Sequence, residues 1–506
     1  MRTNVDRHFE APTRGLNAVD NIMSMNPKDA LVLDNWIAYP DAIQTRPGNE
    51  NHVTGALSPI KRLWNYADSA GEELFATSDT GVYNVTTAGA LPAASIALTN
   101  GATSATIIAT GANNYLNIVN GTNNLAQYDG TTWSSIPAFG GSNSSDFSYV
   151  ETYNQRLFFI RKNTLTIEYL AINSVSGAAT AYDLGAIFRR GGYLVALGTW
   201  TLDGGTGSDD QLVAVTSMGE VAVFSGSDPS TAATWTKRGV YYIGKPIGGN
   251  QCLLKYGGDL LFISEVGIFP MSKAVQALAI DFTQSISERI HPMISALAAL
   301  YGSTDGWQLV FQPNIPVIIL NIPSLPLHVQ FCMYAGSARG GAAWSSFSGW
   351  EANCFGLLDG NLYFGTDNGV QLVTGAADVG ANITATCLTA YQQMGSARNK
   401  RITAMLPYFQ PIASFNYILA LANDFQSDTT GAVIYPSAST SLSFWGTAIF
   451  GTSYWSSVNT VLQDWRAPVD NSASWKAAYV QVTGKTSAVR YLGAETKTVY
   501  SKGMGY

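Results

Sequence analysis

The residues able to carry chemistry are few and scattered. His8, His52, His291 and His328 lie far apart, and none has a second histidine, a cysteine or an acid at metal-ligand spacing. Cys252, Cys332, Cys354 and Cys387 show neither paired spacing nor a nearby histidine, so they read as small buried hydrophobes rather than zinc ligands or disulfide partners. No nucleophile elbow, phosphate loop or dinucleotide fingerprint stands between a strand and a helix, and the Gly204 to Gly207 stretch falls between β segments as a loop. The chain therefore nominates no catalytic, cofactor-binding or metal-binding residue and is not expected to be an enzyme.

Two other residue sets bear on ligands. Trp445, Trp455, Trp465 and Trp475 are conceivable platforms for sugars, against the plainer reading of core or interface tryptophans. Arg189 with Arg190, Lys237 with Arg238, and Arg398 with Lys400 and Arg401 are small basic clusters that read either as contacts to phosphates or an acidic partner, or as solvated loop residues. Thr77-Ser-Asp79-Thr-Gly81 resembles the Asp-box hairpin of sialidase-like propellers, although the aromatic, Tyr83, comes one place early. Glycoside hydrolysis also needs two carboxyl groups facing across a sugar, and no pair stands out.

The elements that must position these residues announce themselves as a repeat. Leu74-Phe-Ala-Thr-Ser-Asp-Thr-Gly-Val-Tyr83 is matched almost position for position by Leu362-Tyr-Phe-Gly-Thr-Asp-Asn-Gly-Val-Gln371. Related units are Leu212 to Phe224, with Gly219 at the turn, and Leu260 to Phe269, with Gly267; weaker versions are Leu116 to Tyr128 and Leu157 to Ile167. Each reads as an antiparallel hairpin, because Asp, Asn and Gly tolerate the positive φ of tight reversals and the flanking β-branched and aromatic residues suit a pleated surface. Starts at 74, 116, 157, 212, 260 and 362 are spaced by 42, 41, 55, 48 and 102 residues. The first four gaps sit near the ~40 to 50 residues of one four-stranded propeller blade. The last gap should hide a further blade, with strands at Leu309 to Gln312, Val317 to Ile322, Val329 to Tyr334 and Ala343 to Phe347. The expectation is an all-β fold, a β-propeller of six or seven blades over residues 56–380. A β-sandwich with recurrent glycine turns is the alternative, which regular spacing disfavours.

Ser285-Ile-Ser-Glu288 matches a capping box, and Ile286, Ile290, Ile294, Leu297 and Tyr301 recur at helical spacing, so a short helical insertion is expected near 285–301. After Asn382 longer alternating strands, such as Arg401 to Phe409 and Ala477 to Val482, predict a C-terminal β-sandwich-like domain over 381–506. Residues 1–55 are irregular, with apolar anchors at Leu16, Leu31, Leu33 and Trp36, and read as an extended N-terminal arm.

Composition bounds the partners. At 506 residues, hydrophobic residues are 46% and charged residues only 12%, about half the ~25% of an ordinary soluble domain. A charge-poor chain suits a permanent oligomer, whose contact centres are depleted in charge. A net charge of −7 argues against a nucleic-acid grip, which needs a basic stripe. Met1 to Glu10 is not a secretory signal, and no uncharged apolar stretch reaches the ~18 to 20 residues of a membrane span, so none is expected.

Arg14-Gly-Leu-Asn17, Lys28-Asp-Ala30, Leu33-Asp-Asn-Trp36 and Thr45-Arg-Pro-Gly48 resemble the opening of the propeller-bearing tail hub or tail nozzle proteins of short-tailed bacteriophages. The resemblance continues through Asp359-Gly-Asn-Leu-Tyr-Phe-Gly-Thr366 and into Lys400-Arg401, Phe444-Trp-Gly446, Tyr454-Trp455, Trp465-Arg466 and Tyr500-Ser-Lys-Gly503, although Lys502-Gly503-Met504 departs from the usual glycine pair. It implies a virion tail protein, made in the host cytoplasm: a homohexameric ring below the portal and its adaptor ring, meeting tail fibre or ejection proteins. Double-stranded DNA would pass transiently through its lumen, and no cofactor is implied. A net acidic wall would repel a passing polyanion. A receptor- or glycan-binding propeller module is the alternative function, and a propeller glycosidase a further one.

Overall fold

Short runs rich in Val, Ile, Leu, Phe and Tyr, broken by Gly, Asn, Asp or Ser, fold as strands joined by tight turns, and the molecule is all-β apart from short helical pieces. The computed structural model describes residues 4–111, 113–201, 210–231, 233–275, 282–323, 328–336, 342–411, 415–426, 431, 433–434, 462–484 and 486–500. Gly204 to Gly207, Phe444-Trp-Gly446, Tyr454-Trp455 and Ser501 to Met504 lie outside the described residues. The chain divides into two compact units, one of Met1–Glu50, Gln330–Trp350 and Val373–Tyr506, the other of Asn51–Val329 and Glu351–Leu372.

The second unit is a succession of small antiparallel sheets. Four-stranded sheets cover Ser104–Ala109 to Trp133–Ile136, Phe147–Tyr153 to Thr180–Asp183, and Leu194–Thr201 to Trp235–Tyr242. Three-stranded sheets cover Arg62–Ala67 to Gly81–Asn84 and Leu253–Tyr256 to Gly267–Pro270. Gln308–Gln312 pairs with Val317–Ile322, and Cys354–Leu358 with Asn361–Thr366, which pairs in turn with Gly369–Val373. Val329–Tyr334 and Trp344–Phe347, expected to complete the blade begun at Leu309, pair with each other, and from Gln330 onward they fall in the other unit.

The turns of the hairpin repeat combine the expected positive φ, found on Gly121, Asn163, Gly219, Gly267 and Gly369, with a feature that was not expected. Each strand ends on a buried hydroxyl three residues before a glycine: Ser78 before Gly81, Thr216 before Gly219, Ser264 before Gly267, Thr366 before Gly369. The hydroxyl reaches over its own turn. Thr216 Oγ1 donates to the Glu220 carbonyl and accepts from the Glu220 N–H, both at 3.0 Å. Ser264 Oγ donates to the Gly267 carbonyl at 3.0 Å and Thr366 Oγ1 to that of Gly369 at 3.2 Å. Positive φ falls on Gly219, Gly267 and Gly369, not on Asp79, Asp367 or Asn368. Asp79 and Asp367 bond outside the turn, Asp79 Oδ1 accepting from the Gly101 N–H and Asp367 Oδ1 from Asn353 Nδ2. At Gly369 no other residue fits, since a Cβ would lie 2.0 Å from the Val53 carbonyl oxygen.

Apolar residues of consecutive sheets pack against each other. One cluster joins Leu358 and Tyr363 to Leu63 and Leu74, the next joins Tyr66 and Phe75 to Leu116 and Tyr128, and a third joins Ile108 and Val119 to Phe147 and Phe159. A fourth runs from Phe158 through Leu197 and Phe224 to Phe262. First strands follow the same order. Ser104–Ala109 packs on Phe147–Tyr153, that on Leu194–Thr201, and so on to Cys354–Leu358, which packs back on Arg62–Ala67.

The capping box expected at Ser285 does not form. Ser285 Oγ donates to the Ile268 carbonyl and Ser287 Oγ accepts from the Ile268 N–H, at 2.9 and 3.0 Å. The hydroxyls are spent on satisfying the exposed edge of Gly267–Pro270 instead of a helix end, which an open sheet edge demands as strongly. The helix starts later, at His291–Tyr301 with Pro292 in its first turn. It buries Ile294 and leaves Leu300 72% exposed.

In the first unit, Val489–Tyr500 pairs with Lys400–Pro411 on one side and with Asn4–Glu10 and Ile43–Thr45 on the other. The residues of the expected arm are therefore partly regular strand. A second sheet runs Val433–Ile434, Asn416–Asn423, Lys476–Gly484, Ala381–Thr389, Ala30–Asp34. The two sheets meet through aromatic rings, Phe409 lying 5.0 Å from Tyr417 and 5.4 Å from Tyr491 between centroids.

Candidate functional site

Two motifs of the opening fifty residues, Leu33-Asp-Asn-Trp36 and Thr45-Arg-Pro-Gly48, meet at one buried cation, Arg46. Asn35 takes a left-handed φ of +61, which an asparagine adopts far more readily than a branched residue. That turn points its amide inward. Asn35 Oδ1 accepts from Arg46 Nε at 2.7 Å and from the Ser348 N–H at 2.9 Å, while its Nδ2 donates to the Thr384 carbonyl at 2.8 Å. Arg46, 1% exposed, donates both guanidinium ends to Asp378 at 2.8 and 2.6 Å, and Nη2 also donates to the Ser348 carbonyl. The guanidinium lies 5.0 Å over the Trp350 ring, which adds a cation–π contact to the fork. Gly48 follows because a Cβ there would fall 2.0 Å from the Ala377 carbonyl, and Gly15 because one would fall 2.4 Å from that of Trp344. Asn17 Nδ2 donates to the buried Asp29 at 2.7 Å. Asp34, held near the node by Ser348 and Ser346, has its carboxyl pushed upward by burial, which those bonds and Arg46 only partly oppose. These residues position chain segments; none is poised for a reaction.

In the other unit, polar residues join the starts of the first strands. Arg62, 3% exposed, donates to Asp305 at 2.5 and 3.0 Å and to Asn250 Oδ1 at 3.2 Å, and Asn250 Nδ2 donates to the Thr103 carbonyl. Arg62 opens the first strand of its sheet and the other three precede the first strands of three further sheets, so two of the four sheets are not sequence neighbours of the other two. Farther along the first strands, Thr106 Oγ1 donates to Thr152 Oγ1 at 3.0 Å and Lys255 Nζ to Thr199 Oγ1 at 3.3 Å. Burial pushes the Glu151 carboxyl up to about 8, with Lys255 pulling the other way.

An open cleft of about 1090 Å³ lies among the sheets that start at Phe147 and Leu194, lined by Asn154, Trp200, Asp210, Ser225, Arg238 and Tyr241, among others. Asp210 is the single acid among the described lining residues, and its Oδ1 accepts from Thr201 Oγ1 at 2.6 Å. One carboxylate does not make the facing pair that sugar hydrolysis needs.

The residues singled out for chemistry are not brought together. The four cysteines are free and buried, and burial pushes the thiols of Cys252 and Cys354 up to about 12. His52 Nε2 meets the Val85 carbonyl at 2.9 Å, His291 Nδ1 meets Ser295 Oγ at 3.3 Å, and burial pulls His328 down. Among the described residues no three His, Cys, Asp or Glu are grouped to hold a metal ion. Asp79 of the Asp-box-like turn accepts from Lys61 Nζ and the Gly101 N–H, both at 2.8 Å, a structural use. Trp465 is stacked by Lys497 at 4.1 Å and Trp475 packs against Phe425; Trp445 and Trp455 lie outside the described residues. Of the basic clusters, Arg190 covers the Tyr242 ring and Arg238 Nε donates to Ser225. Lys400 is not a solvated loop residue: it opens a strand and is fully buried. Asp378, Ser348 and Asp305 were invisible as site residues, because single acids and serines carry no spacing signal.

No protein-family model and no curated protein matches this sequence. No helix among the described residues is long and apolar enough to cross a membrane.

Proposed function

We propose that the chain is a structural component of a bacteriophage tail, a nozzle or hub subunit that assembles as a homohexameric ring for genome retention and ejection. The observation that carries this reading is the Arg46 node. The short motifs that resemble the opening of tail nozzle proteins, Leu33-Asp-Asn-Trp36 and Thr45-Arg-Pro-Gly48, are the residues whose atoms meet there. The sheets between Arg62 and Val373 are read as seven blades of a propeller. Their first strands follow one another from Ser104–Ala109 to Cys354–Leu358, which packs on Arg62–Ala67, and Arg62, Thr103, Asn250 and Asp305 join sheets that are not neighbours in sequence. The two sheets sharing Phe409, Tyr417 and Tyr491 are read as a sandwich.

Exposed Leu57, at 98%, and Leu300, at 72%, are apolar surface that a neighbouring subunit would cover, in keeping with a chain only 12% charged. The portal adaptor and fibre or ejection proteins are the partners this reading requires, with DNA passing through a wall on which acids outnumber bases. Mass photometry of the purified protein tests assembly: particles of six chains are expected, and monomers alone, with or without the adaptor, contradict it.

The polar cleft beside Tyr241 favours a second reading, a glycan-binding module. Binding on a glycan array that Tyr241→Ala abolishes would support that reading instead.

A further inference from the structure

The most unusual chemistry in the molecule lies where two strands of the first unit end together. Asn423, the last residue of Asn416–Asn423, is the direct register partner of Lys476, the first of Lys476–Gly484. Lys476 Nζ lies 2.5 Å from Asn423 Oδ1 and 2.5 Å from Asp470 Oδ1, and also contacts the Asn471 carbonyl. The Lys476 and Asp470 side chains are both fully buried. With a C=O bond of ~1.23 Å, the 2.5 Å contact leaves Nζ no farther than about 3.7 Å from the Asn423 carbonyl carbon, next to the ~3 to 3.5 Å of a near-attack arrangement.

Three functional groups thus stand in direct contact: an amine, a carboxamide and a carboxyl. The strand pairing that holds the first two opposite each other costs no further ordering at the moment of reaction.

We propose that Lys476 and Asn423 are joined by an intramolecular isopeptide bond that the folded chain forms by itself, with Asp470 carrying the proton. The neutral amine attacks Asn423 Cγ, the Nζ–Cγ bond forms and the Cγ–Nδ2 bond breaks. Asp470 takes one proton from Nζ and passes it to Nδ2, which leaves as ammonia. Nothing is oxidised or reduced, and no co-reactant is needed. The neutral amine is supplied by burial, which depresses the Lys476 pKa, aided by the Arg401 charge and opposed by Asp470 and Asp424. Lys400, buried nearby with its Nζ on the Ser474 carbonyl, is depressed to about 8 by burial first and by the Lys476 charge second. Asp470 is held for its task by the Ile402 N–H, which donates to Oδ2 at 2.6 Å. The bond closes the chain from Asp424 to Trp475 into a covalent loop anchored on the sheet.

The test is the intact mass of the purified full chain, followed by tryptic peptide sequencing in the mass spectrometer. The wild-type protein is expected to be lighter than its encoded sequence by one ammonia. It should lack cleavage after Lys476 and yield a branched peptide linking that lysine to Asn423. Asn423→Ala, Lys476→Arg and Asp470→Asn are each expected at their encoded mass. A wild-type chain at its encoded mass overturns the proposal, whatever the variants do. So does an ammonia loss that maps to a cyclised asparagine elsewhere. A buried ion pair without the bond would give the first of those results.

Discussion

Arg46 shows how much of a fold can hang on one side chain. Its guanidinium satisfies Asp378, Ser348 and Asn35 at once, so Arg46→Met leaves the Asp378 carboxylate without its cation and takes one of two donors from Asn35 Oδ1. Breaking a buried pair from one side costs about 3 to 5 kcal/mol, and urea unfolding is expected to show a loss of that size; a change below about 1 kcal/mol would mean that the node is incidental. Glu151 makes a prediction of opposite sign. The folded chain keeps its proton up to about pH 8, whereas the unfolded chain releases it near 4.5, so the folded state binds more protons between those values. Stability from this group is present at low pH and falls as pH rises through that window. Glu151→Gln is expected to raise the melting temperature at about pH 9 and leave it nearly unchanged at about pH 4. An equal shift at both values would show that charge is not the cause. Asn35, Arg46 and Gly48 stood out in the sequence only as parts of the motifs that carry the resemblance to tail nozzle proteins. The sequence was silent on Asp378, Ser348 and Glu151, whose roles come from neighbours distant in the chain.

At the scale of elements, the hairpin repeat was readable because its continuous apolar runs and its turn glycines recur. The part played by the hydroxyl was not, since a serine or threonine at a strand end looks like any other polar residue. The Ser78, Thr216, Ser264 and Thr366 hydroxyls supply the missing half of each turn. Thr216→Val keeps the shape and removes both bonds to Glu220, and should destabilise by about 1 to 2 kcal/mol in denaturant titration. No loss of stability would assign the turn to Gly219 alone. The capping box failed for a related reason. Ser285 and Ser287 had a stronger claim on them, the unpaired edge at Ile268, and tertiary demand overrode a local signal.

For the whole molecule, the charge-poor composition and the repeat spacing indicated a β-rich chain of more than one unit. Nothing in one sequence could show that residues 330–350 leave the unit that surrounds them in sequence and join the first fifty residues. That crossing depends on Trp344 and Trp350, which meet Leu16 and Arg46 only once the chain is folded. The central claim concerns assembly, and it is tested most directly by cryo-electron microscopy of the particle that contains the chain. Six copies in a ring on the tail axis, with acids outnumbering bases on the lumen wall, is the result expected. Copies placed singly at the tips of peripheral fibres, or a ring with a basic lumen, would contradict it.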